Sequence, residues 1–143
     1  MRRRFLAAFL VVGGCASTPV GQDDGGGVAG LAGRWRMRTF EGRPVDSGDR
    51  TEWAFAGRHV AIETNMQRCA GEFAVDPSVT PMHMDVTCGG EHMHAIFALD
   101  GERLIIKIGG DAGYPGDFRV ADGYDVHAFE RTHGPDEPDG NAR

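Results

Sequence analysis

From Leu31 to Arg131 apolar and polar residues alternate along the chain, and glycine, proline and aspartate interrupt the alternation at short intervals. A period of two puts every second side chain on one face of an extended strand, and closely spaced turn residues join such strands as an antiparallel meander. The pattern predicts strands at Arg34–Phe40, Thr51–Phe55, Arg58–Thr64, Arg68–Val75, Met82–Cys88, Glu91–Leu99, Glu102–Ile108 and Tyr124–Arg131. No segment carries a convincing 3.6-residue apolar period, the repeat an amphipathic helix requires. The expected fold is therefore all-β, one domain spanning residues 31–131, with about the hundred residues a single core needs.

Turn chemistry extends this to register. Asp100-Gly101 reads as a two-residue hairpin turn, which sets Leu99 opposite Glu102, Phe97 opposite Leu104, Ala95 opposite Ile106 and Met93 opposite Ile108. Gly89-Gly90 makes the turn before it and pairs Cys88 with Glu91, Val86 with Met93, Met84 with Ala95 and Met82 with Phe97. Closing the loop from Asp76 to Pro81 symmetrically pairs Val75 with Met82, Phe73 with Met84, Gly71 with Val86 and Cys69 with Cys88. All three turns place the apolar residues on one face, which is the predicted core. On this reading Met37, Met82, Met84 and Met93 fill the interior as flexible apolar groups, and Cys69 and Cys88 stand opposite each other at a separation suited to a disulfide, provided the compartment is oxidising.

The ends of the chain differ from the middle. Arg2, Arg3 and Arg4 precede about ten apolar residues from Phe5, a stretch too short to cross a hydrocarbon core of about 30 Å as a helix and suited to a signal-peptide core. Val12-Gly13-Gly14-Cys15 resembles a bacterial lipobox, with residues 1–14 as the signal peptide and Cys15 as the lipidated residue. The arginines with Phe5 and Leu6 also resemble the twin-arginine export pattern, although a plain basic leader explains them equally well. Residues 15–30 read as the lipidated cysteine and a flexible tether, and 132–143 as a disordered acidic tail. Loss of the leader's three arginines leaves 12 Lys and Arg against 21 Asp and Glu, a formal charge of −9. So acidic a chain, without a basic stripe, argues against nucleic acid and against adsorption to anionic lipid. The expected localisation is export to the cell envelope, with two acyl chains holding the protein, and Ala16 after the lipidated position leans toward the outer membrane, facing the periplasm.

Candidate chemistry concentrates in Pro81–His94, which contains three methionines and three histidines. The methionines belong to the core face. His83, Asp85, His92 and His94 fall on the other face, with Asp85 opposite His94 and His83 diagonal to it. Imidazoles and a carboxylate within cross-strand reach can hold zinc or copper. The competing reading is a solvated outer face on which Asp85 and His94 form no more than a weak surface pair.

Leu31-Ala32-Gly33-Arg34-Trp35, Glu41-Gly42-Arg43-Pro44-Val45, Phe55-Ala56-Gly57, Gly71-Glu72-Phe73-Ala74-Val75-Asp76-Pro77, Pro81 with Asp85, and Ala95-Ile96-Phe97-Ala98-Leu99-Asp100-Gly101-Glu102-Arg103-Leu104 follow one another in an order and spacing that resembles an uncharacterised lipocalin-like domain family abundant in planctomycete bacteria. The resemblance covers about Leu31 to Arg131. It implies an antiparallel up-and-down lipocalin-like barrel, in which Gly33 and Trp35 match the lipocalin Gly-x-Trp signature and Arg131 lies across the tryptophan face to close one end. The loop Tyr114-Pro115-Gly116-Asp117-Phe118 departs from that family, which carries an Arg-Pro pair before the phenylalanine.

Function rests on a site and not on a fold. The sequence offers no nucleophile elbow, no glycine-rich phosphate loop and no Ser–His–Asp or Cys–His arrangement, so the expectation is a binding protein and not an enzyme, with no resident cofactor. The leading reading is an envelope lipoprotein whose barrel binds a small apolar molecule or presents its surface to an envelope partner. The alternatives are a zinc- or copper-binding protein acting through the histidine hairpin, and a structural lipoprotein without a ligand. Oligomeric state is open at this level. If Cys15 carries the anchor, Cys15→Ala should move the protein from the membrane to the soluble fraction while its thermal transition stays unchanged; an unaltered mass and membrane partition would contradict lipidation.

Overall fold

A computed structural model describes residues 27–110, 113–121, 124 and 125–132. The leader, Cys15, the tether up to residue 26 and the tail from residue 133 lie outside the described residues. Nine strands form one antiparallel sheet: β1 (Gly33–Phe40), β2 (Arg43–Pro44), β3 (Glu52–Ala56), β4 (His59–Glu63), β5 (Arg68–Asp76), β6 (Met82–Cys88), β7 (Glu91–Asp100), β8 (Arg103–Ile108) and β9 (Asp125–Arg131). Each of the eight predicted strands is present with its ends within one residue of the expected positions; the two-residue β2 was not anticipated. Among the described residues there is no α-helix, and no helix long and apolar enough to cross a membrane.

The sheet runs in chain order from β3 to β9, and β9 pairs back onto β1, so eight strands close a barrel. β1 serves both edges. It pairs with β3 through Gly33–Arg36 on one side and with β9 through Trp35 to Phe40 on the other, with a bulge between Met37 and Thr39 in the β9 ladder. A bulge adds local twist and bends a strand, which is what a short strand serving two neighbours around a closing barrel requires. The short β2 adds to β1 beyond β3.

One end of the barrel is plugged. Trp35 is fully buried and its indole Nε1 donates to the Leu31 carbonyl at 2.8 Å, which fixes the preceding turn with Val28 and Leu31 over the core. The Arg131 guanidinium lies 4.3 Å from the Trp35 ring centroid. Its Nη1 donates to the Ala32 carbonyl at 2.7 Å, and Nη2 donates to the Gly30 carbonyl. Gly33 is required here for two reasons: its φ is +122°, and a Cβ at that position would stand 2.7 Å from Arg131 Nη1. Gly33, Trp35 and Arg131 together close this end of the barrel.

Inward-facing residues fill the interior, with Trp35, Trp53, Phe55, Phe73, Met84, Phe97, Leu104, Ile106 and Phe129 buried and Met37, Met82 and Met93 packed against them. Aromatic contacts run along it, with Phe55 and Phe73 edge to face at 4.9 Å and Trp53 and Phe129 at 5.6 Å.

Two of the three predicted registers need correction. The β6–β7 hairpin pairs Val86 with Met93 and Met84 with Ala95, as the Gly89-Gly90 turn implied. In β7–β8, however, Asp100 pairs with Arg103, Leu99 with Leu104 and Phe97 with Ile106. Gly101, at φ +58°, takes the first position of the turn and Glu102 the second, so the ladder is offset by two residues. In β5–β6, Val75 pairs with Met84, Phe73 with Val86 and Gly71 with Cys88. The Asp76 carboxylate accepts from the Ser78 N–H at 3.0 Å and from its hydroxyl at 2.5 Å, which folds the loop locally and lets the ladder run on to Asp76 and His83. A shift of two preserves the face, so the core assignment survives both changes.

The cysteines show the consequence. Cys69 is diagonal to Cys88 and not opposite it, yet the two are bridged with Cα atoms 5.9 Å apart. Gly71 makes this approach feasible: a Cβ there would sit 1.9 Å from the Thr87 carbonyl oxygen, so only glycine lets β5 come this close to β6. The β5–β6 ladder stops at Gly71, and the disulfide ties the strands beyond it. Closing a loop of about twenty residues stabilises a domain by about 3 kcal/mol in the chain-entropy model. A Cys69→Ser/Cys88→Ser protein should lose about that much in urea unfolding, and the unreduced wild type, denatured, should present neither thiol to a titrant. Two titratable thiols from these positions would contradict the bridge.

Candidate functional site

Two regions of the barrel concentrate polar groups in defined geometry. The first is the end opposite the Trp35 plug, where β1, β4, β6 and β8 finish and β3, β5, β7 and β9 begin. A cavity of about 440 Å³ opens there between the end of β1, β2, the chain leading to β3 and the β4–β5 turn. Met37, Phe40, Pro44, Val45 and Met66 supply apolar lining, with Arg43, Asp46, Asp49 and Arg50 beside them. Phe40 and Met66 are 38% and 91% exposed, so two large apolar side chains meet solvent at this mouth. A second cavity of about 570 Å³ lies at the same end, lined by Ile62, Met93 and the disulfide among others.

His127 stands inside the barrel at the same end, paired with Phe40 on β1 and Ile106 on β8. The alternation of β9 points it inward with Phe129, and its ring meets Phe40 edge to face at 5.2 Å. Its Nδ1 lies 3.1 Å from Met37 Sδ, while Nε2 is buried with no hydrogen-bond partner among the described residues. Burial lowers the His127 pKa, only partly opposed by the Asp125 carboxylate, and keeps the ring neutral. The period-two pattern of Asp125–Arg131 contained this placement, since it puts His127 on the face of Phe129 and Arg131; the sequence reading passed over it.

The second region is on the outer wall. Asp85 on β6 pairs with His94 on β7, and His92 lies two residues along the same face. His94 Nδ1 is 2.6 Å from Asp85 Oδ1, and His92 Nε2 is 3.4 Å from the same oxygen. The potential ligand atoms of Asp85, His92 and His94 all lie within 4.8 Å of one another. Thr87, directly opposite His92, places its hydroxyl 3.1 Å from His92 Nδ1 and so orients the ring with Nε2 toward Asp85.

The fourth predicted member, His83, does not join them. Its ring stacks on Tyr114 at 3.8 Å between centroids and 8° between planes. Tyr114 donates its hydroxyl to Asp85, 2.6 Å from each carboxylate oxygen, and its ring lies 4.8 Å from His94. Burial works against the Asp85 anion, but the hydrogen bonds from Tyr114 and His94 outweigh it and hold the carboxyl below its ordinary range. The same contact with Asp85 pushes the Tyr114 phenol up to about 12.

Tyr114 is held in place by the connection between β8 and β9, which returns over the outer wall. Lys107, only 3% exposed although it faces outward, donates to the Arg119 carbonyl at 2.5 Å, lies 3.6 Å from Asp117 and sits under the Tyr124 ring at 5.0 Å. Ile96, its cross-strand partner on the same face, is fully buried. The wall is covered at Lys107 and Ile96 and part exposed at Asp85, His92 and His94, and Tyr114 is the residue that the sequence reading did not bring into the cluster. Nothing local marks it: its partners lie about thirty positions away.

The fold defines the class of protein as a closed, lipocalin-like antiparallel β-barrel, plugged at one end and open at the other. No protein-family model matches the chain, and no curated protein does so.

Because folded His127 resists protonation while the unfolded chain accepts a proton near the ordinary value of about 6.5, the folded state binds fewer protons below that pH. Stability should therefore fall as pH drops from about 7.5 through 6.5 toward 5. Urea midpoints at the two ends of that window should differ less for His127→Phe than for wild type; an equal loss in both proteins would contradict a neutral His127.

Proposed function

We propose that this is a lipid-anchored envelope protein whose barrel binds, without chemical turnover, a small molecule with an apolar body and a polar end at the open mouth. The observation that carries the reading is the cavity of about 440 Å³ between Met37, Phe40, Val45 and Met66, two of whose walls, Met37 and Phe40, rest on His127, a ring whose buried Nε2 has no hydrogen-bond partner among the described residues. Its volume falls in the range of small-molecule sites, and apolar walls with few polar groups are the usual composition of such sites. A buried nitrogen without a partner costs free energy, and a ligand group that reaches it would recover that cost. Arg43, Asp46, Asp49 and Arg50 at the rim offer both signs of charge to a polar head.

The anchor at Cys15 belongs to the same reading. A tether from the membrane would hold the mouth within reach of molecules that partition into or leave the lipid, and an acidic chain would not be drawn flat onto anionic headgroups.

Native mass spectrometry of full-length protein purified from its own envelope should find one small-molecule adduct per chain. In Phe40→Asp protein, which places a charge on the apolar wall, the adduct should be lost while the thermal transition is kept. Bare wild-type protein, or the same adduct on the variant, would contradict binding at this mouth.

A further inference from the structure

The outer-wall cluster is separate from the barrel mouth, and its geometry supports a site of another kind. A tetrahedral ion with bonds of about 2.0–2.1 Å to nitrogen and oxygen separates neighbouring ligand atoms by about 3.3 Å. His92 Nε2 and Asp85 Oδ1 already stand 3.4 Å apart. His94 Nδ1 and Asp85 Oδ1, at 2.6 Å, form a direct hydrogen bond that must open by less than an ångström for an ion to enter between them. All three side chains are part exposed, at 33% for Asp85, 36% for His94 and 52% for His92, so an ion has a path in and the side chains have room to adjust.

What separates this cluster from a chance surface pair is the support around it. Metal-bound imidazoles characteristically use the second ring nitrogen in a hydrogen bond that fixes their orientation, and ligating carboxylates are themselves hydrogen-bonded. Thr87 provides the first at His92 Nδ1, and Tyr114 the second at both oxygens of Asp85. Tyr114 is in turn held by its stack on His83. The backbone of two antiparallel strands carries all three candidate ligands, and β6–β7 is the hairpin whose register follows directly from its glycine turn. The ligand frame is therefore set by the sheet and not by a mobile loop.

We propose that Asp85, His92 and His94 bind one divalent transition-metal ion of the zinc class, with Tyr114 positioning the carboxylate and a water completing the coordination. His83 is a platform for Tyr114 and not a ligand. Two imidazoles with one carboxylate suit zinc, and also copper(II), while the absence of sulfur from the set disfavours copper(I). Binding here neither needs nor disturbs the cavity at the barrel mouth, so either proposal can fail without the other.

The test uses full-length protein in detergent, stripped with a chelator that is then removed. Zinc titrated in competition with a chromogenic chelator should be taken up at one equivalent, and cobalt(II) should give the intense visible absorption of a tetrahedral site. Zinc should also raise the thermal midpoint. His92→Ala and Asp85→Asn should abolish uptake while leaving the metal-free thermal transition in place. Tyr114→Phe, which keeps the ring and removes the hydroxyl, should weaken binding by about tenfold. Absence of saturable zinc uptake by the wild type would overturn the proposal, as would uptake unchanged by His92→Ala or Asp85→Asn. Should a variant unfold, the cobalt spectrum of the wild type decides: weak, octahedral-type absorption is evidence against the site.

Discussion

The structure depends on one set of backbone hydrogen bonds, those joining the first strand of the barrel to the last. An open sheet of eight short strands would leave two unpaired edges and an apolar face larger than its own turns could cover. Pairing β9 with β1 removes the edges and turns that face inward, so that alternation along every strand becomes a division between inside and outside. The chain supports the closure at both levels. The bulge between Met37 and Thr39 lets β1 bend between neighbours, and the stack of Arg131 on Trp35 ties the last residue of β9 to the start of β1.

Both candidate sites follow from that division. Inside, large residues fill the barrel from the Trp35 plug upward, and the two cavities described above open at the far end, where Phe40 and His127 meet. Outside, the wall of β6, β7 and β8 would present Ile96 and Lys107 to water, yet both are buried, and the β8–β9 connection lies over Lys107. A buried lysine must find acceptors, and Lys107 finds them in the Arg119 carbonyl and the Asp117 carboxylate. Those contacts fix the connection, and the connection sets Tyr114 against Asp85. The geometry of the outer cluster is thus linked to a residue that takes no direct part in it.

The barrel was legible because period-two alternation and glycine turns are local signals. Strand positions, the inward set and the cross-strand neighbours Asp85 and His94 all came from them. Register was legible only where a turn allowed one solution: Gly89-Gly90 did, whereas Gly101 can occupy either central position of a turn, and the loop after Asp76 closes on a side-chain hydrogen bond that symmetric closure ignores. Both errors were of two residues because the buried face forbids an odd slip. The disulfide partners were correctly matched, but through a diagonal approach that Gly71 permits and not through the direct pairing expected. Tyr114 and Lys107 were not legible, since their placement depends on a long connection folding back across the sheet. His127 was legible and was overlooked.

Amide hydrogen exchange tests the closed barrel most directly. If closure is the constraint on which the fold depends, the amides that bond across the β1–β9 seam, between the Thr132-to-Arg34 bond at one end and the Glu41-to-Val126 bond at the other, should exchange only by global unfolding, with the same free energy as those in the β6–β7 ladder. Rapid exchange of the β1 and β9 amides while β6 and β7 remain protected would show a sheet that opens at this seam, and would contradict the account.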